Sequence, residues 1–163
     1  MFRRYKGKTK FMWFPVTESC PMSSGSLMQF WTIGASGAYR AIAPVIGTGS
    51  PVTTGSPSAP VNILGVLRHD IKSTDADYAT NGRLVEVEVP VENNVEWEVE
   101  IGDTHSIVAA EDLGVYADLY DACTITVSTS AKDVFRITKR VSSTKAIGVL
   151  NIGTSGFGSV GAA

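Results

Sequence analysis

Apolar and acidic residues alternate almost without a break from Val85 to Ile101. Val85, Val87, Val89, Val91, Val95, Trp97, Val99 and Ile101 hold odd positions, and Glu86, Glu88, Glu92, Glu96, Glu98 and Glu100 hold even ones. A period of two places successive side chains on opposite faces of an extended chain, so this segment is β-structure with one face toward a core and the other carrying acid. Asn93-Asn94 marks a turn within it. A two-residue loop would set valines against glutamates. A three-residue Glu92-Asn93-Asn94 loop instead pairs Val91 with Val95, Val89 with Trp97, Val87 with Val99 and Val85 with Ile101, which predicts a hairpin. In that register Glu86 opposes Glu100 and Glu88 opposes Glu98, an arrangement that destabilises a strand pair unless something compensates. Three readings stay open: a solvated face that repels edge pairing, a basic surface from another subunit or partner such as Arg3 to Lys10, or divalent cations.

The rest of the 163 residues follows the same class. Leu27–Ile33 and Tyr39–Ile46 flank the turn-prone Gly34–Ala38, and Pro44 pushes the second of these strands toward an edge. Gly47–Pro60 is a Gly/Ser/Thr/Pro loop long enough to project as a binding loop. Further strands are expected at Val61–Ile71, Arg83–Val91, Val95–Ile101, Ser106–Ala110, Thr124–Ser128, Val134–Val141 and Lys145–Ile152, with a turn at Asn81-Gly82. Glu111–Tyr120 has Gly114 in its middle and alternates at Val115, Ala117 and Leu119, which favours strand over helix. The class is all-β, a compact antiparallel β-barrel over 25–152, with an extended N-terminal arm over 1–24 and a flexible Gly/Ser-rich tail over 153–163.

Net charge is only −2, but charge is segregated. Residues 1–45 hold six Lys/Arg against one acid, residues 68–121 three against fourteen, and residues 132–145 five against one. Arg3, Arg4, Lys6, Lys8 and Lys10 precede the aromatics Phe11, Trp13 and Phe14, which reads as a contact arm for protein rather than nucleic acid. The expected contact residues are those eight together with Glu86, Glu88 and Glu98. No apolar run approaches the ~20 residues of a membrane span, and none forms the apolar region of a signal peptide, so a soluble chain without membrane partners is expected.

Motifs for chemistry fail on context. Gly156–Gly161 spells G-x-G-x-x-G, yet only two residues follow, too few for the helix that receives phosphates. Asp77–Glu88 resembles a calcium loop, but Ala79 stands at its third position and Glu88 falls inside a strand. His69 and His105 fit no zinc motif, Cys20 and Cys123 match no metal or redox spacing, and there is no nucleophile elbow or phosphate-binding loop. No catalytic residue, cofactor or metal is expected.

Ile63-Leu-Gly-Val-Leu67 and Ala146-Ile-Gly-Val-Leu150 echo each other across the domain. With the valine-rich middle strands, the Gly102-Asp103 turn and Glu111-Asp-Leu-Gly-Val-Tyr116, this order resembles the small β-barrel decoration, or cement, proteins of tailed-bacteriophage capsids over roughly residues 25–152. The resemblance implies a non-enzymatic barrel on the capsid surface that oligomerises, often as a trimer, and clamps neighbouring major capsid subunits after assembly in the host cytoplasm. Other phage barrels of tail or connector, and a small β-sandwich ligand-binding module, are the alternatives.

Overall fold

The structure is a computed structural model and describes residues 1–16, 22–32, 40–44, 63–80, 82–102, 113–127 and 134–150. Among these residues there is no helix. Eleven strands form two sheets: β1 Arg3–Lys6, β2 Thr9–Pro15, β3 Leu27–Thr32, β4 Arg40–Pro44, β5 Ile63–Leu67, β6 Leu84–Pro90, β7 Glu96–Ile101, β8 Tyr116–Leu119, β9 Thr124–Thr126, β10 Phe135–Ser142 and β11 Lys145–Leu150. The expected turn at Gly34–Ala38, the Gly47–Pro60 loop, the strand at Ser106–Ala110, the tail, Cys20 and His105 lie outside the described residues.

The first sheet runs β1-β7-β11-β10-β8-β9, and an added β7–β9 pairing closes β7, β11, β10, β8 and β9 into a five-stranded barrel. That closing pair is parallel, the single departure from the expected antiparallel barrel among the described pairings. The barrel draws its strands from Glu96 to Leu150 alone. The strands between Leu27 and Pro90 join β2 in a second sheet, ordered β2-β6-β5-β3-β4. Edge placement of β4, with Pro44 in it, is as the sequence implies.

β5 explains how the two sheets stack. All five of its residues are buried, because Ile63 and Val66 belong to the barrel core while Leu64 and Leu67 belong to a second core with Val85, Val87 and Val89. A strand with a core on each side reads as an apolar run instead of an alternation. Its Gly65 and the matching Gly148 of β11 have one role: a Cβ at either would collide with a carbonyl oxygen of the paired strand, that of Glu88 or of Arg136. The repeated Gly-Val-Leu is thus two instances of close strand approach.

One expectation is corrected. Residues 84–101 do not form a hairpin. β6 belongs to the second sheet and β7 to the barrel, so the chain changes sheets across Val91–Val95. The alternation is real, with Val85, Val87, Val89, Trp97 and Val99 all buried, but it serves two cores. Residues 1–16, expected as an extended arm, pair within this chain. β1 pairs antiparallel with β7 and β2 with β6, so this ribbon lies along the whole acidic segment and turns with it at Gly7, opposite Val95. Opposed glutamates are thereby avoided: Arg3 pairs in register with Glu98, Lys6 with Glu96, and Trp13 with Glu86.

Candidate functional site

The ribbon places its side chains by parity. Met12 and Phe14 are register partners of Val87 and Val85 and pack on the second core. Phe11 and Trp13, between them, point the other way and are 53% and 60% exposed. Their register partners are Glu88 and Glu86, and Leu84, opposite Pro15, is exposed further along the strand pair. This puts Phe11, Trp13, Leu84, Glu86 and Glu88 on one face of the β2–β6 pair.

Glu88 anchors that face. It is 1% exposed, yet carries a full set of partners. Arg4 Nε stands 3.2 Å from Oε1, Arg68 Nη1 stands 3.2 Å from Oε2, and the Thr9 hydroxyl donates to Oε1 at 2.7 Å. Arg4 Nη1 also donates to the Thr9 oxygen at 2.6 Å, closing a triangle. Arg68 reaches from the end of β5 and its guanidinium lies 5.7 Å from the Phe11 ring centroid. His69 sits with its ring 6.5 Å from that of Trp13, tilted by 37°. Both exposed aromatics are therefore braced by a polar neighbour on a hydrogen-bonded sheet, a preorganised arrangement that loses little side-chain freedom on contact.

Around the barrel wall, Lys145 lies 3.3 Å from Glu100 and 4.0 Å from Glu98, and the amino terminus lies 3.6 Å from Glu100. Lys145 first, and then the terminal ammonium, hold the Glu100 carboxyl below its ordinary value. The Lys8 backbone N–H donates to Glu92 at 2.8 Å. The side chains of Arg3, Lys6 and Lys8 are exposed and make no ion pair among the described residues.

Of the expected contact residues, the structure brings Arg4, Phe11, Trp13, Glu86 and Glu88 together and sets Arg3 opposite Glu98. Phe14 is turned into the core. The cations expected to meet the acidic face from another chain are here supplied by its own ribbon. Arg68, His69 and Thr9 were not signalled by the sequence, since a lone Arg-His after an apolar strand carries no spacing cue.

A second candidate is an open pocket of about 600 Å³ lined by Met22, Ser26, Asp70, Lys72, Asp121 and Cys123, among others. Its carboxylates are committed locally: Asp121 accepts the N–H groups of Cys123 and Thr124 at 2.7 and 2.8 Å, and Asp70 accepts that of Ser24 at 2.8 Å. Cys123 Sγ contacts Ser26 Oγ at 3.2 Å. Among the described residues no cluster of three potential metal ligands forms.

No protein-family model matches the sequence, and no curated protein matches it. Among solved structures, the chain is similar to the head fiber gp8.5 N base of bacteriophage phi29, at 10% identity and a TM-score of 0.48, over 86% of this chain and 94% of that one.

Proposed function

We propose that this chain is a structural virion protein that binds the outside of a phage capsid and stabilises it by clamping neighbouring major capsid subunits. The observation that carries the reading is the outward display of Phe11 and Trp13, beside Leu84 and Arg68, on a sheet whose two cores are filled without them. Exposed aromatics beside arginine, on a rigid support, have the composition of protein-binding hot spots. The resemblance of the strand order to capsid decoration proteins supplies the partner class: the major capsid protein, bound by contact without catalysis, and without a nucleic-acid or membrane ligand. Copies of the chain assemble as a homo-oligomer, with a trimer favoured.

The test is localisation on particles. Antibodies to this chain, applied to density-banded particles from its source, should label intact shells, and a Trp13→Ala chain should fail to bind shells stripped of the protein. Label confined to tails or connectors, or no label on particles, would overturn capsid clamping.

A further inference from the structure

The barrel has a socket that β1 fills. β9 is only three residues long and pairs with β7 at Glu100 and Ile101, leaving the same edge of β7 open at Glu96–Glu98, where β1 pairs instead. Phe2 is 1% exposed and lies edge-on to Phe135 at 5.9 Å inside the barrel core, and its N–H donates to the Gly25 carbonyl at 3.0 Å. The socket therefore takes an extended strand with an aromatic plug at its start, cations facing Glu98 and Glu96, and an arginine placed to reach Glu88 on the other sheet.

β1 is joined to β2 by Gly7 and Lys8 alone. Gly7 has φ 102° and is pressed so closely on Val95 that a Cβ there would not fit. The hinge has no slack. Short, constrained hinges favour exchange of the attached element between copies, because the closed and exchanged forms make the same pairings and differ mainly at the hinge.

We infer that β1 is exchanged between copies of this chain, so that residues 1–6 of one copy fill the β7 socket of the next and supply Arg4 to its Glu88. This rests on the homo-oligomer of the preceding reading, but not on the capsid. Charge complementarity between the ribbon and 86–100 holds the strand as well from a neighbour as from its own chain. The exposed cations Arg3 and Lys6 on β1, the end strand of its sheet, discourage further strand addition, which favours a closed set of copies.

The experiment uses purified full chain in a Cys20→Ser, Cys123→Ser background. Arg3→Cys and Glu98→Cys, register partners across β1 and β7, are placed on separate chains that are denatured together, refolded and oxidised. Exchange is expected to convert at least a third of the protein into a covalent dimer containing one of each chain, and the Lys6→Cys, Glu96→Cys pair repeats the test should the first fail to fold. Three glycines inserted after Lys8 should lower that yield at least five-fold while the same two cysteines on one chain then link internally. Internal links alone in the unlengthened chain, or a dimer yield indifferent to hinge length, would overturn the inference. Neither result bears on whether the chain binds shells, which particle labelling reads separately.

Discussion

Arg4 Nε lies 3.2 Å from Glu88 Oε1, although Arg4 is on the strand appended to the barrel and Glu88 belongs to the second sheet. With Arg68 on the other carboxylate oxygen and Thr9 donating to the first, one buried carboxylate ties β1, β2, β5 and β6 together. Removing it should cost about 1–3 kcal/mol, below the loss seen when a fully buried pair is broken, because both arginines are partly exposed and rehydrate. Urea unfolding of Glu88→Ala and Glu88→Gln reads this, with the amide losing less. In a double-mutant cycle with Arg4→Ala, a coupling near zero would show that the pair does not link the sheets.

Asp75 sets part of the acid limb of stability. The Lys72 backbone N–H it accepts, and then the Arg83 guanidinium, hold its carboxyl below the ordinary 3.8. A depressed folded value means that the contribution is present above the unfolded pKa and is lost as pH falls through the folded one. Melting temperature followed from pH 7 toward pH 3 should therefore fall less steeply below about pH 4 for Asp75→Asn than for the wild type. Parallel curves would remove Asp75 from the account.

Glycine positions separate two kinds of requirement. Gly65→Ala and Gly148→Ala drive a methyl into strand carbonyls and should each destabilise by about 1–3 kcal/mol or abolish soluble folding. Gly82→Ala and Gly114→Ala meet open space and suffer only their left-handed backbone, with φ 81° and 86°, at about 1–2 kcal/mol. Chemical denaturation of the four variants ranks them, and equal losses would mean that strand approach at Gly65 and Gly148 is not tight.

Phe11, Trp13 and Phe14 should divide between contact and core. Phe11→Ala and Trp13→Ala are expected to leave the unfolding midpoint within about 0.5 kcal/mol while weakening shell binding at least ten-fold. Phe14→Ala, packed on the second core, should cost about 1–3 kcal/mol. Matched stability losses at all three would show that the exposed rings belong to the fold.

Strand positions and strand chemistry were legible because alternation and β-branched runs report directly on burial, as at Val85–Val89 and Glu96–Ile101. The partners of those strands were not. A hairpin satisfies the parity of 84–101 as well as two separate strands do, and only the distant ribbon, which matches both halves, decides between them. Within the ribbon, β2 was hidden because apolar side chains stand on both of its faces: Met12 and Phe14 face in while Phe11 and Trp13 face out, so period two leaves no trace in hydropathy. The charge segregation pointed the acidic segment toward a basic surface of another chain, whereas the ribbon of the same chain pairs with it, and Arg68 and His69 join only through the β5–β6 pairing, which no local pattern encodes.

The pairing of residues 1–16 with 84–101 also fixes an order of events at the ribosome. The ribbon emerges first and its binding track much later, on the order of 5–15 s at ordinary synthesis rates. Through that interval an aromatic, cationic strand waits without a mate, and on a crowded message the first acidic track to reach it can belong to the chain ahead. Under the strand exchange inferred above, timing of translation as well as affinity would set whether neighbouring copies are born linked or separate.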